Sequence, residues 1–453
     1  MVEYICNKCG NKFSNNGNLK RHNNRKVPCI APEKLKIMNS NKAIEMDTGM
    51  VTGMETGMET GMETKFTFID LFCGIGGFHQ ALRKRGGKCV LACDIDEACR
   101  DNYYENYKVK PEKNIRQIKE GDVPDHDILT AGFPCQTFSN AGKKKCMTDA
   151  RGTLFNEIIR IAKHKKPRFM ILENVSHIRK VDNGNVFDYI LQKLDETGYY
   201  CKNDETIFNL SPHQFGIPQQ RERVFFVCIR KDIYTENPVV SIPENPVINL
   251  ESVLDKEVDE KYYAQGDILT ALNAWEKMVQ EFEVNEKISP TIMVNEFYKD
   301  YTDEEFSNLA SWRQDYITKN KPLYDKYQVY FDSWYEENKD ILNRREIYAK
   351  LEWQVGKIKE NDSIWNYFIQ LRQSGIRVKK AIYFPTLVAM AQIPIYGKEK
   401  RHITPRECAR LQSFPEDYKI HPNDKKSYKQ FGNSVNVHCV GVALDSILSK
   451  YNI

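Results

Sequence analysis

From residue 65 onward, short apolar runs alternate with segments of helical periodicity. The apolar runs predict five strands: KFTFIDLF, KCVLAC, HDILTAG, RFMILENV and a later RVFFVCI. Between them, four amphipathic segments predict helices: GGFHQALRKRG, DEACRDNYYENY, TLFNEIIRIAKH and VFDYILQKLDETG. Continuous apolar strands alternating with such helices are typical of a parallel sheet covered on both faces. The pattern predicts an α/β domain whose first part covers residues 65–230.

Residues 231–400 interrupt this alternation. They hold all five tryptophans of the chain and many tyrosines, as in YQVYFDSWYEENKD. We interpret them as a second domain inserted into the first. The first domain ends with residues 401–453, where the second half of QFGNSVNVHCVGVALDSILSK predicts a helix that packs back on the sheet.

Residues 1–64 divide into two parts. Residues 1–30 are interpreted as a small separate module and residues 31–64 as a linker, which ends in the repeat TGMVTGMETGMETGMET. A glycine at every fourth position disfavours a helix, so we interpret the repeat as a flexible tether without a chemical role.

The charge is distributed unevenly over the 453 residues. The net charge is only +4, but residues 231–370 hold 16 Lys and Arg against 28 Asp and Glu, and SGIRVKK and GKEKRH concentrate basic residues between 374 and 402. A basic region beside an acidic insert favours a polyanionic partner. No run has the length of a transmembrane helix, the N-terminus is too polar for a signal peptide, and the 13 cysteines show no disulfide-like spacing. We therefore expect an intracellular protein of a reducing compartment that is neither secreted nor bound to a membrane.

The stretch TAGFPCQTFSN places Cys135 directly after Pro134, at the end of a predicted strand. A proline fixes the backbone there, and a thiol on a stiff turn is presented outward. A nucleophilic thiolate has to be accessible in this way. On this stretch alone, a structural cysteine and a nucleophile remain equally good interpretations.

Three further elements carry candidate chemistry. The glycines of DLFCGIGG lie in the first strand-to-helix turn without the spacing of a dinucleotide fold, and Asp94 ends the second strand, where a carboxylate can accept both ribose hydroxyls. They suggest an adenosine-containing cofactor without a diphosphate. Glu173 in ENV could hold a proton for a substrate nitrogen, or could instead cap a helix. In QRER, Arg221 and Arg223 could point together at an anion, or lie on a solvated strand edge. Because Cys135, Glu173 and Asp94 all follow predicted strands, we expect them to line one crevice.

Together these motifs resemble the cytosine-5 DNA methyltransferases. The resemblance covers residues 65–230 and 400–450 and is carried, in the family's order, by DLFCGIGG, GFPCQTFS, DARGTLFNEIIRI, ENV, QQRERVFFV, ITPRECARLQSFPEDY and QFGNSV. It implies a Rossmann-like S-adenosylmethionine-dependent methyltransferase domain with an inserted target-recognition domain at 231–400.

The resemblance also implies a mechanism. Cys135 would be the nucleophile that attacks carbon 6 of a cytosine flipped out of duplex DNA, and Glu173 would hydrogen-bond or protonate ring nitrogen 3. Arg223 would support the flipped base, and Arg221 the site around the thiolate.

For the cofactor, the resemblance implies that Phe72 packs on the adenine, that Gly74 and Gly77 admit the methionine part, and that Asp94 holds the ribose. Two positions depart from the family pattern: Ile95 stands where an aromatic is frequent, and Asn114 where an aspartate commonly accepts from the adenine amino group. We therefore expect altered affinity but not loss of binding. Further matching contacts are Ile75, Ile115, Pro134, Leu154, Asn433 and Ser434.

The N-terminal module resembles a classical zinc finger. Cys6 and Cys9 have C-x2-C spacing and are followed by Phe13, Leu19 and His22 at the finger's intervals. The fourth ligand departs from the pattern, because Cys29 takes the place of a second histidine. We expect Zn²⁺ to be held by Cys6, Cys9, His22 and Cys29, with a cysteine-bearing basic tail as the alternative.

Residues 371–401 hold seven Lys and Arg against one Glu and contain FPTL, which resembles the Thr-Leu element of the family's recognition loops. The candidates for DNA contacts are Arg372, Arg377, Lys379 and Lys380, and the alternative is a solvated basic loop. The predicted partner is double-stranded DNA, with the protein acting as a monomer beside a matching restriction endonuclease. Two other hypotheses stay open: the tRNA-methylating branch of the same family, and a DNA-binding regulator without catalysis.

Overall fold

The computed structural model describes residues 63–134, 153–389 and 392–451, together with two short N-terminal strands. The chain divides into two units, residues 1–61 and 62–453. In the first unit, β1 (Tyr4–Ile5) pairs antiparallel with β2 (Lys12–Phe13).

The second unit is built on a seven-stranded sheet. Its strand order is β4-β3-β5-β6-β9-β7, and β8 pairs with β9. The strands are β3 (Phe66–Leu71), β4 (Gly87–Cys93), β5 (Ile128–Gly132), β6 (Phe169–Val175), β7 (Tyr199–Tyr200), β8 (Ile207–Leu210) and β9 (Arg223–Arg230). The helices between them are α1 (Gly77–Arg83), α2 (Glu97–Tyr107), α3 (Thr153–Lys165) and α4 (Asn185–Glu196).

The sheet is mixed, whereas the sequence predicted a parallel one. Strands β3 to β6 are parallel, but β9 runs antiparallel to β6, with Glu173 opposite Phe225. An apolar run identifies a buried strand but carries no information about its direction, which the connection sets. The prediction is therefore correct for the first four strands and wrong for the last.

Both faces of this sheet are buried. Alternate residues such as Phe68 and Ile171 pack on one side with α1 and the C-terminal helix, while Ile69 and Leu172 pack on the other side with α3 and α4. Burial on both faces leaves the strand ends as the place where polar side chains can gather.

The insert forms a second sheet with the order β10-β11-β13-β12-β14-β15. Its strands are β10 (Ile292–Met293), β11 (Lys350–Gln354), β12 (Phe368–Arg372), β13 (Gly375–Lys379), β14 (Ile395–Tyr396) and β15 (Arg401–His402). Its helices are α5 (Gly266–Gln280), α6 (Asp303–Asn308) and α7 (Ser311–Arg344).

One face of the second sheet is apolar and the other polar. Leu351, Ile369 and Val378 belong to the core that α5 and α7 cover, which also holds Trp275 and Trp334. Most alternate positions of the same strands carry charged or amide side chains, but Phe368 on that side packs into the core of the first sheet.

The chain returns to the first sheet through α8 (Pro405–Leu411), α9 (Asp424–Asn433) and α10 (Val437–Leu448). Helix α10 packs on α1 and, as predicted, on the first sheet. Residues 233–254 also contact this first core, through side chains such as Tyr234 and Val253. The domain boundaries at 230 and 400 stay predictions. Within the described residues, no helix is both long and apolar enough to cross a membrane.

Candidate active site

The turn after β3 contains three glycines with different surroundings. Gly74 has φ +54° and, among the described residues, no heavy atom within 4 Å of the position a Cβ would take. At Gly76 that position lies 2.2 Å from the Tyr107 ring, and at Gly77 it lies 2.6 Å from Val435. Only Gly74 therefore opens onto free space. At Gly77, Val435 leaves no room for a side chain, and the expectation that Gly77 admits the methionine part stays a prediction.

Asp94 lies directly after β4, next to this turn. Its Oδ2 accepts a hydrogen bond from the Gly74 N–H at 2.8 Å, and its Oδ1 accepts one from the Asp96 N–H at 2.8 Å. Burial raises the pKa of this carboxyl, and the two N–H groups oppose the rise. The backbone thus fixes a carboxylate beside the open Gly74, and its remaining lone pairs can accept further hydrogen bonds.

The end of β5 lies beside Glu173. Gly132 is opposite Glu173 in the β5–β6 register, and a Cβ on Gly132 would lie 3.6 Å from Glu173 Oε2. The buried Asn174 donates a hydrogen bond from Nδ2 to the Phe133 carbonyl at 2.9 Å. These contacts fix the backbone that leads into Pro134 and Cys135. Cys135 itself lies outside the described residues, as do Cys6, Cys9, His22 and Cys29.

Glu173 is buried and paired with a cation. Its Oε1 lies 3.1 Å from Arg223 Nε, and its side chain is only 10% exposed. Burial raises the pKa of Glu173, while the charges of Arg223 and Arg221 lower it. Because the residue lies inside β6, the alternative of a helix cap is wrong.

Arg221 does not point at an open anion site with Arg223. It precedes β9 and is fully buried, and its guanidinium donates to the carbonyls of Leu387 at 2.7 Å, Gly432 at 2.9 Å and Ser434 at 2.8 Å. The solvated-edge alternative is wrong for the same reason. These three carbonyl acceptors give this arginine its orientation.

The remaining cofactor candidates fall into three groups. Ile75 and Ile115 have side chains buried in the core, so only their backbones can face a ligand. Ile95, Pro134 and Asn433 are exposed. The third group is partly exposed or buried: Phe72 (φ +56°), Asn114 and Leu154 are partly exposed, and Ser434 is buried. The Asn114 Oδ1 accepts a hydrogen bond from the Arg116 N–H.

The four basic candidates of the insert lie on or beside the polar face of its sheet. Arg377 pairs with Glu352, with 2.8 Å between Nε and Oε2, and Lys379 Nζ donates to Gln220 Oε1 at 3.1 Å. Arg372 ends β12 and is half-buried, and Lys380 is exposed. The solvated-loop alternative is therefore wrong for the three that lie on strands.

The FPTL segment contacts the strand that carries Arg221. The Gln220 N–H donates to the Phe384 carbonyl, the Phe384 N–H to the Pro218 carbonyl, and Thr386 Oγ1 to the Gln220 carbonyl. Sequence reasoning missed Asn174 and Gln220, although both lie inside motifs it had used, ENV and QQRERVFFV.

The described residues place a buried carboxyl, a neighbouring guanidinium and an open ligand turn near the carboxyl ends of the parallel strands, which suits acid–base chemistry on a bound ligand. Similar solved structures support the same fold. They include the Entamoeba histolytica methyltransferase EhMeth (TM-score 0.50, 18% identity, 85% of this chain and 99% of that one) and the S. pombe Dnmt2 methyltransferase (TM-score 0.50, 20% identity, 84% and 98%).

Among proteins of curated function, the chain is similar to the type II methyltransferase M.HhaI of Haemophilus parahaemolyticus. The two are 30% identical over 385 residues, which cover 85% of this chain and 95% of the relative. The type II methyltransferase M.HpaII of Haemophilus parainfluenzae is 29% identical over 389 residues, covering 85% and 90%. Residues 66–449 match the model of the C-5 cytosine-specific DNA methylases. The chain belongs to this family and is a DNA cytosine-5 methyltransferase.

Proposed function

We propose that the protein methylates carbon 5 of one flipped-out cytosine in a specific site of duplex DNA, through a covalent adduct with Cys135. The observation that carries the proposal is the position of Glu173. Its buried carboxyl lies beside Gly132, three residues before Cys135, and pairs with Arg223. A buried carboxyl whose pKa is raised by burial therefore lies next to the stretch that ends in the nucleophile.

The chemistry follows from the weak electrophilicity of cytosine carbon 6. The Cys135 thiolate forms a bond to that carbon, the electrons of the ring double bond shift toward nitrogen 3, and Glu173 supplies the proton there. The product is an enamine-like ring with a nucleophilic carbon 5. Once carbon 5 carries the methyl group, water takes the carbon 5 proton, the double bond between carbons 5 and 6 re-forms and expels the thiolate, and nitrogen 3 returns its proton to Glu173. Because these atoms are shielded in a stacked duplex, the base has to leave the helix first.

The residues present fit S-adenosylmethionine, the methyl donor of this family. The open position at Gly74 allows close approach of a ligand to the backbone, and the fixed Asp94 carboxylate can accept from ribose hydroxyls. When bound, the cofactor supplies an electrophilic methyl group. Phe72, Asn114, Leu154, Asn433 and Ser434, with the backbones of Ile75 and Ile115, are the further proposed contacts, and Ile95 and Pro134 would lie at the rim.

We assign different roles to the two arginines. Arg223 is proposed to support the flipped base and to stabilise the ionised form of Glu173 after proton transfer. Arg221 is proposed as a positioning residue, because its guanidinium connects the recognition segment at Leu387 with the cofactor segment at Ser434.

Residues 231–400 are proposed to recognise the DNA site, with Arg372, Arg377, Lys379 and Lys380 contacting bases and phosphates. The type II relatives support a further proposal, that a restriction endonuclease of the same specificity accompanies the protein.

The N-terminal module is proposed to bind Zn²⁺ through Cys6, Cys9, His22 and Cys29. In support, β1 and β2 pair antiparallel on either side of Cys6 and Cys9, as the two strands of a finger would. Metal analysis of the full chain should find one zinc per protein, and Cys6→Ala/Cys9→Ala should remove it. Equal zinc content in both proteins would refute the assignment.

The covalent mechanism is tested with Cys135→Ser. Methyl transfer to duplex DNA should be lost while binding of DNA and cofactor persists, since only bond formation needs the thiolate. DNA carrying 5-fluorocytosine should trap the wild type covalently, because the carbon 5 fluorine cannot leave as the proton does. Cys201→Ser, at a buried cysteine in the core beneath α3 and α4, is the control and should keep activity. Transfer by Cys135→Ser at the wild-type rate would refute the proposal, and a tRNA substrate methylated in preference to DNA would redirect it.

A further inference from the structure

The polar face of the insert sheet places a carboxylate among basic side chains. In the register of the sheet, Arg377 on β13 lies between Glu352 on β11 and Gln370 on β12. Lys379 follows two residues later on the same face, and Arg372 lies at the end of β12. Arg377 pairs with this carboxylate, while Lys379 and Arg372 add further positive charge nearby.

The Arg377–Glu352 pair has a specific geometry. The contact runs from Arg377 Nε to Glu352 Oε2 at 2.8 Å, and the Ser374 hydroxyl donates to the same oxygen at 3.2 Å. Within the described residues, neither terminal nitrogen of Arg377 makes a hydrogen bond. Both side chains are largely covered, with 21% of Arg377 and 15% of Glu352 exposed. The guanidinium is therefore held at its inner nitrogen, and its two outer nitrogens are available.

Arg372 and Lys379 add positive charge beside Arg377, which favours binding of a ligand with hydrogen-bond acceptors. Burial lowers the pKa of Arg372 and of Lys379, and the charge of Arg377 lowers both further. Excess positive charge on a half-buried face is relieved by a ligand that presents hydrogen-bond acceptors.

We propose that Arg377 reads one guanine of the DNA site through its two terminal nitrogens, and that Glu352 is the positioning residue that orients it. Guanine presents two acceptors, O6 and N7, in the major groove, and a bidentate arginine is the side chain that matches them. A hydrogen bond at Nε fixes the orientation of the guanidinium plane, so the arginine loses less conformational freedom on binding.

The location on the insert agrees with this role. Lys379, on the same strand and face, reaches Gln220, and Gln220 adjoins Arg221 of the catalytic part. A base read by Arg377 would thus lie close to the cytosine that enters the active site. This inference rests on the proposed function, because it assigns a base contact to the same methylation site.

The experiment begins with the wild type. Bisulfite sequencing of DNA from cells that express the full chain gives the methylated site, and synthetic duplexes then carry each base pair of that site replaced in turn. The kcat/KM for methylation is compared among the wild type, Arg377→Ala, Glu352→Gln, the double variant and Arg313→Ala. Arg313 pairs with Glu296 elsewhere in the insert and serves as the matched control.

We expect the wild type to prefer guanine at one position by about 5- to 150-fold, the discrimination of one bidentate pair. Arg377→Ala should lose the preference at that position only, and Glu352→Gln should weaken it at the same position. The double variant should equal Arg377→Ala, because Glu352 acts through the arginine. Replacing that guanine with 7-deazaguanine, which lacks the N7 acceptor, should slow the wild type but not Arg377→Ala. Arg313→Ala should keep the full preference.

Three results would overturn the inference: a site without guanine, an Arg377→Ala variant that slows all sequences alike, or a Glu352→Gln effect at a different position. If Arg377→Ala fails to fold, Arg377→Lys keeps the charge without the fork, and it should show the same loss at the same position. A wild type that methylates no DNA would instead refute the proposed function, which separates the two failures.

Discussion

The two sheets of the protein present their chemistry in different ways. The first sheet is buried on both faces, and its polar groups, Asp94 and Glu173, lie near the ends of strands. The second sheet buries one face against a tryptophan-rich core and carries Glu352, Arg377 and Lys379 across the other.

This difference matches two tasks. A sheet edge brings together a few groups from successive strands at one point, which suits a reaction on one base. A sheet face displays groups in rows, about 7 Å apart along a strand, which suits reading several positions of an extended polymer. The contrast predicts that changes at the first sheet alter rate or cofactor binding, while changes at the second alter preference.

The largest effect is expected at Arg221, whose guanidinium connects the two regions through Leu387 and Ser434. Arg221→Met should lower the free energy of unfolding by about 3 kcal/mol, since it leaves three buried carbonyls without a donor. Urea denaturation measures the loss. The control Arg344→Met removes a half-exposed pair with Asp267 and should change stability by less than about 1 kcal/mol. Equal stability of the two variants would mean that the regions do not depend on this arginine.

Asp94 tests whether the ligand chemistry of the first sheet lies at its edge. Asp94→Ala should weaken S-adenosylmethionine binding by about 1.5–3 kcal/mol, or about 10- to 150-fold, as expected for charge-assisted hydrogen bonds. Calorimetry measures the change, and the exposed Asp101→Ala on the following helix is the control. Unchanged affinity in Asp94→Ala would place the ribose elsewhere. Sequence preference should stay the same in both variants.

Asn174 tests whether a change in the first sheet can alter the methylation rate without altering cofactor affinity. Asn174→Ala removes the hydrogen bond to the Phe133 carbonyl, so the backbone before Cys135 should lose its fixed position. We expect methylation to slow by about 5- to 30-fold, equivalent to about 1–2 kcal/mol. Cofactor affinity should not change. Asn156→Ala, at a surface contact with Tyr189, should leave the rate unaffected, and an equal slowing in both variants would refute a local effect.

The smallest effect concerns Asp70, buried inside β3. Burial raises its pKa well above the usual value, and its Oδ2 has no partner among the described residues. Because the folded pKa is the higher one, the stability contribution is full below the ordinary aspartate pKa and is lost as pH rises through the raised value. Asp70→Asn cannot ionise. Its Tm relative to wild type should increase as the pH rises above the ordinary aspartate pKa. A difference independent of pH would show that Asp70 is ionised throughout.

The first sheet could be predicted from the sequence more fully than the second. Its strands are continuous apolar runs such as FMIL, and the predicted elements agree with the observed ones to within a few residues. The antiparallel direction of β9 could not be predicted, because direction depends on the connection and not on the strand itself.

The second sheet could not be predicted because its strands are short and its order depends on distant pairings. Strand β11 pairs with β13, although β12 lies between the two in the sequence. Only this pairing places Glu352 beside Arg377. The basic residues were visible in the sequence, but Glu352 lies outside residues 371–401 and meets Arg377 only in the folded sheet. Likewise, the partners of Arg221 lie 166 and more residues away, beyond any local pattern.

The contact between the FPTL segment and residues 218–220 uses mainly main-chain atoms, with one hydroxyl from Thr386. Main-chain hydrogen bonds do not depend on side-chain identity, so this contact tolerates substitutions in the insert. A contact of this kind allows parts of the insert to be exchanged between relatives. A chimera that keeps residues 384–387 but takes the polar strand positions from a relative of different specificity should remain joined to the same catalytic sheet. New specificities could thus arise by exchange of one face, without redesign of the reaction centre.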